Sequence, residues 1–130
     1  MTNNIFIAAA DAKFNTEALK EFLSGKNKNI KISLIKDYNL LIKEVESQKP
    51  LMVITDLWLA DNSKRSTSDY GLDLIKKLLS VFNDLQIIIV ERYDSIIRNI
   101  DLLDNGILAL LAHNFDFEDL LPFVEKSLQL

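Results

Sequence analysis

A chain of 130 residues with 48% hydrophobic residues, three Gly and two Pro is long enough for one domain with a buried core, and too apolar and regular to be disordered. Its formal charge of −4 argues against binding a polyanion by itself, because affinity for nucleic acid comes largely from clustered Lys and Arg neutralising phosphates. Without cysteine there is no disulfide framework or thiolate metal site, no apolar run is long enough to span a bilayer, and Met1-Thr-Asn-Asn4 has no basic signal-peptide region, so a cytoplasmic protein without a membrane partner is expected.

Taken in chain order, short apolar runs alternate with segments of helical periodicity. The first run, residues 5–9, leads to Phe14, Ala18, Leu19, Phe22 and Leu23 on one helical face. Residues 30–35 are followed by Leu41, Ile42 and Val45, and residues 51–55 by Leu74, Ile75, Leu78, Leu79 and Phe82. Residues 87–90 precede Ile96, Ile97, Ile100 and Leu103, with Asn105-Gly106 as a C-terminal cap. The last run, 107–112, precedes a helix beginning near Asp116, where Glu118 and Asp119 suit the positive end of the helix dipole. Pro122 leaves two alternatives: the regular helix starts near Glu118 with the proline close to its first turn, or the helix bends there. Five strand-plus-helix units predict a doubly wound α/β sandwich of three layers, with a five-stranded parallel sheet in the middle, as a single domain over residues 1–130.

Chemistry concentrates around Asp56. The run Leu51-Met-Val-Ile-Thr-Asp56 reads as a buried strand that delivers one acid to the carboxyl end of a parallel sheet, where ligands of open α/β sheets gather. It is followed by a polar stretch, residues 60–70, which includes Lys64-Arg65 and has no apolar anchor, so it is expected to be mobile in the free domain. Other chemistries find little support. There is no Gly-rich P-loop, no Gly-x-Ser-x-Gly elbow and only one His, and Ala10-Asp-Ala-Lys-Phe14 lacks the hydroxyl and Gly residues that cradle a flavin phosphate.

With those residues in view, the chain resembles the receiver (CheY-like) domain of bacterial two-component response regulators over essentially its whole length. The features that carry the resemblance are the five units, an acid after the first strand, Asp56 ending the third, and Gly71-Leu-Asp-Leu-Ile75 beyond it. Within that family it looks most like the RcsB-type receivers of the NarL/FixJ class, which carry a motif like Ile54-Thr-Asp-Leu57 and an extended loop before a turn like Asp69-Tyr-Gly71. The resemblance implies that Asp56 stands at the phosphoacceptor position. It also implies a divalent cation held by two acids after the first strand together with the acceptor, a Thr or Ser ending the fourth strand, and a Lys ending the fifth.

In this sequence the acid pair reads Ala10-Asp11, or Ala9-Ala10 if the alignment slips by one residue. The hydroxyl position holds Glu91, the Lys position His113, and the aromatic switch position Leu110. A phosphoryl group brings about −1.5 to −2 charges, and like charges about 4 Å apart repel by about 4 kcal/mol at an effective dielectric near 20. An unperturbed imidazole, with a pKa of about 6.5, is mostly neutral at pH 7 and does not replace the Lys charge. The expectation is therefore a pseudo-receiver that is not an enzyme, with Asp11 and Asp56 as a vestigial metal set and no tightly bound cofactor, magnesium included. Its partner would be a protein, in a homodimer or a heterodimer with another regulator, through Ile96, Ile97, Ile100, Leu102 and Leu110. The DNA-binding helix-turn-helix of such a regulator is not within these residues. The alternative is a working receiver phosphorylated on Asp56 with magnesium. Plainer readings stand beside each assignment: Asp56 as an acid at a sheet end, solvated or capping the next loop, Asp11 as a loop acid or the start of the first helix, Glu91 paired with Arg92, Lys64 or Arg65, His113 as a structural histidine, and Trp58 as a loop aromatic.

Overall fold

Runs of Ile, Val, Leu and Met without polar interruption suit strands that are covered on both faces, and this chain uses them so. The computed structural model describes residues 3–8, 15–56, 68–82, 84–91, 106–112 and 114–128. Its strands are β1 (Asn4–Ala8), β2 (Lys31–Leu34), β3 (Met52–Thr55), β4 (Gln86–Glu91) and β5 (Ile107–Ala112), in the order β2-β1-β3-β4-β5. Every neighbouring pair is parallel. The helices are α1 (Thr16–Lys26), α2 (Tyr38–Gln48), α3 (Ser68–Val81) and α4 (Leu121–Leu128), the last entered through a 3-10 turn, Phe117–Leu120.

Alternate strand residues feed two cores. On one face Phe6, Val53, Ile87 and Ile89 meet Leu41 and Val45 of α2 and Ile75 and Leu78 of α3. On the other, Ile5, Ile7, Met52, Ile54, Ile88 and Val90 meet Leu19 and Leu23 of α1, Leu120 of the 3-10 turn and Val124 of α4. This is the doubly wound α/β sandwich expected from the sequence.

Local signals set the element ends. The side chain of Asn15 accepts from the Ala18 amide at 3.0 Å and caps α1, a contact of the kind worth about 1 kcal/mol. Lys49 ends α2 in the left-handed region, φ 47°, and its amide donates to Val45 O at 2.9 Å before Pro50 stops the helix. Helix α3 starts at Ser68, so the irregular stretch expected over 60–70 gives way to helix three residues before its predicted end. Ser and Asp are types favoured at helix starts, and they carry no apolar period by which the extra turn could be read. At the C-terminus the Asp116 amide donates to the Asp119 carboxylate at 3.2 Å, and the Asp119 amide to Asp116 O at 2.9 Å. The regular helix then begins at Leu121, which decides the Pro122 alternatives: the proline falls in the first turn of α4, where its missing N–H costs little. The helix expected around Ile96 to Leu103, and Asn105, lie outside the described residues.

A bulge interrupts the β4–β5 ladder. Ile87 pairs with Ile107 but Ile88 pairs with Ala109, so Leu108 is the extra residue on this edge strand and stands 36% exposed. Beyond it, Ala109 faces the α1 and α4 side while Leu110 faces the α3 side.

Two backbone positions yield opposite expectations in urea denaturation. Lys49→Gly should stabilise the domain by about 0.5–1 kcal/mol, since glycine adopts positive φ without a Cβ penalty. Gly106→Ala should destabilise by about 1 kcal/mol or more: φ is +105°, and the added Cβ would lie 3.4 Å from Leu79 Cδ2. A destabilising Lys49→Gly would contradict the left-handed cap.

Candidate functional site

Because the strands are parallel, their carboxyl ends share one edge of the sheet. Ala8, Thr55, Glu91 and Ala112 close β1, β3, β4 and β5 there. The strand order reverses direction between β1 and β3, so the topological switch point, where open α/β sheets form their binding crevice, opens between Ala8 and the end of β3. Asp56 follows β3 directly, on the central strand of the five.

Asp56 is completely buried, and among the described residues it is the one buried ionisable group. Asp56 is therefore not a solvated acid; the other plain alternative, an acid that caps the next loop, involves residues outside the description. Removing a carboxylate from water is costly unless the surroundings compensate it, so a buried acid at this edge marks a functional position more strongly than an exposed one would. Its neighbour Thr55 is buried as well, and the Thr55 hydroxyl donates to Ala8 O at 2.5 Å, with Asp56 O 3.0 Å from the same oxygen. Thr55 was not singled out by sequence reasoning. The signal that could have found it is a hydroxyl closing an otherwise apolar strand one residue before the acid.

The other site positions are reached to different extents. Glu91 is the last residue of β4 and pairs with Ala112. With Thr55 opposite Ile89, the backbones of Asp56 and Glu91 leave adjacent strands at nearly the same level. His113 follows Ala112 in sequence but lies outside the described residues, as do Ala10, Asp11, Trp58, Lys64, Arg65 and Arg92. Leu110 is half-buried and packs against the core cluster that holds Ile87, Ile89 and Ile107. The remaining residues of the expected interaction face, Ile96, Ile97, Ile100 and Leu102, lie outside the description.

A magnesium site needs near-octahedral oxygen coordination. In the β1–β3 register Ala8 stands opposite Thr55, and the next two residues in sequence are Ala9 and Ala10, so the first carboxylate beyond β1 is Asp11. Among the described residues no group of three His, Asp or Glu is placed to hold a metal. Of the two acids expected as a vestigial metal set, Asp56 is described and Asp11 lies outside the described residues. No described helix is long and apolar enough to cross a membrane.

No family model matches the chain. Over 77 residues, 59% of its length, the chain is 29% identical to the DNA-binding transcriptional regulator NtrC of Azospirillum brasilense, and the match covers 15% of that protein. NtrX from Brucella abortus superposes with a TM-score of 0.76 at 16% identity, covering 99% of this chain and 28% of NtrX. A putative response regulator from Chloroflexus aurantiacus superposes with a TM-score of 0.75 at 18% identity, and 100% of each chain is covered. A CheY-like receiver domain protein from Methanospirillum hungatei gives a TM-score of 0.75 at 19% identity, covering 99% of this chain and 95% of that one. The fold is therefore that of response-regulator receiver domains. The chain spans much less than two thirds of the NtrC and NtrX proteins it is similar to.

Proposed function

We propose that this chain is a receiver-type regulatory module that acts through protein–protein contact, with the phosphoryl chemistry of such domains lost or strongly weakened. The observation that carries the proposal is the mismatch at one sheet edge. The acceptor-like Asp56 is kept, buried at the end of the central strand, while Ala9 and Ala10 follow β1 and Glu91 closes β4. An acid where an incoming phosphoryl group would need a neutral hydroxyl opposes that group, and Ala10 at one position of the acid pair removes a cation ligand that would offset its charge. On this reading the chain is a cytoplasmic binding module and not an enzyme, and it takes magnesium at most weakly through Asp11 and Asp56. Its partner is a second copy or another regulator. The NarL/FixJ likeness rests on Ile54-Thr-Asp-Leu57 and Asp69-Tyr-Gly71, whereas the partial sequence match is to an NtrC, and both point to transcription regulation as the setting. The burial of Asp56 at the switch point also favours a second reading, a working phosphoacceptor.

Titration with magnesium and beryllofluoride separates the two readings. It is followed through Trp58, the single tryptophan, two residues from Asp56. The pseudo-receiver reading expects no saturable fluorescence change at millimolar magnesium, and partial recovery of binding in the triple variant Ala10→Asp, Glu91→Thr, His113→Lys. Saturable binding by the unaltered chain, abolished by Asp56→Asn, would establish the phosphoacceptor instead.

Association is tested by sedimentation over a rising concentration series. On the helical reading of the sequence, Ile96, Ile97, Ile100 and Leu102 exceed a single apolar stripe, so self-association is expected, and Ile97→Glu or Leu102→Glu should shift it toward monomer. A chain that stays monomeric at hundreds of micromolar, with partner binding unaffected by both variants, would remove this face from the account.

A further inference from the structure

At the topological switch point the ends of β1 and β3 lie side by side, and a side-chain hydrogen bond joins them. Thr55 is 1% exposed, and its hydroxyl donates to Ala8 O, the last carbonyl of β1, at 2.5 Å. The Thr55 hydroxyl oxygen itself lies 3.0 Å from Asp56 O. Ala8 and Thr55 are register partners, so the bond is made at the last rung of the β1–β3 ladder, one residue before Asp56. The surrounding strand residues Met52, Val53 and Ile54 are aliphatic and fully buried. A hydroxyl in that position has no apolar packing role that valine, of nearly the same shape, would not fill as well. What it adds is one directed hydrogen bond between the ends of β1 and β3.

From this placement we infer that Thr55 is a positioning residue for Asp56: its hydroxyl ties the ends of β1 and β3 together and so fixes where the Asp56 carboxylate stands. The inference deepens the reading of Asp56 as the site carboxylate and rests on it. It assigns Thr55 no contact with a ligand. The hydroxyl acts on backbone atoms, and Asp56 follows because it is the next residue.

The test observes Asp56 directly, by the side-chain 13Cγ resonance of Asp56 in the intact chain at fixed pH. It is compared among the unaltered protein, Thr55→Ser, which keeps the hydroxyl, and Thr55→Val, which keeps the shape. Thr55→Ser is expected to reproduce the resonance of the unaltered protein. Thr55→Val should move it by more than its linewidth and broaden it, while backbone resonances of Asn4 and Gln86, at the opposite end of the sheet, stay in place. A purely structural hydroxyl would lower the melting temperature of Thr55→Val and leave the Asp56 resonance where it was, which would overturn the inference. Thr55→Ala serves as a second hydroxyl-free variant. Failure of both Val and Ala variants to fold, with Thr55→Ser folded, would assign the hydroxyl to stability and equally overturn a positioning role. Magnesium and beryllofluoride play no part in this measurement, so the receiver reading and the role of Thr55 fail separately.

Discussion

A parallel sheet covered by helices on both faces can present polar groups only at the ends of its strands, and that constraint organises this molecule. β1 and β3 are buried along their whole length, and β4 is buried from Ile87 to Val90. Burial at that depth is favourable for Ile, Val, Leu and Met, each contributing roughly 1.5–3 kcal/mol by leaving water. It is prohibitive for an unpaired acid. Asp56, as deeply buried as the strand before it, therefore depends on compensation from its surroundings where β3 stops. The order β2-β1-β3-β4-β5 then puts that strand end beside the reversal of winding direction, so the fold brings the buried acid to its own crevice.

The opposite end of the sheet is arranged for stability instead. Ser127 of α4 donates to Gln86 Oε1 at 2.6 Å at the start of β4, and Asn4 Nδ2 donates to Gln48 Oε1 at 3.4 Å where α2 ends near the start of β1. These contacts tie helix ends to strand starts. The free edge is handled differently. The bulge at Leu108 breaks the regular ladder of β5, and irregular edges of this kind hinder unwanted pairing with another chain. It also reverses the facing of the rest of the strand, and this is why Leu110 belongs to the core cluster shared with α3.

The sequence disclosed the framework because the framework is hydrophobic. Each predicted strand matches an observed one to within a residue at either end, since short apolar runs, interrupted by Lys31 and Ser33 only in β2, are bounded by polar segments. Ile75, Leu78, Leu19, Leu23, Leu41 and Val45 were legible as core because helical spacing puts them on one face. What escaped was set by polar or backbone features with no apolar period: the early start of α3 at Ser68, the 3-10 turn ahead of Pro122, the bulge at Leu108 and the hydroxyl of Thr55. The site divides in the same way. Asp56 could be found because it ends an apolar run, and its complete burial was not foreseen because a lone acid says nothing of what covers it.

The central claim is that the fold keeps an acceptor-like acid while the residues around it withhold phosphoryl chemistry. The most direct measurement is intact mass of the whole chain after incubation with acetyl phosphate and magnesium. The account predicts that the protein stays at its unmodified mass. A large fraction of chains carrying one added phosphoryl group, lost on Asp56→Asn and on hydroxylamine treatment, would contradict it and show that Asp56 still works as an acceptor.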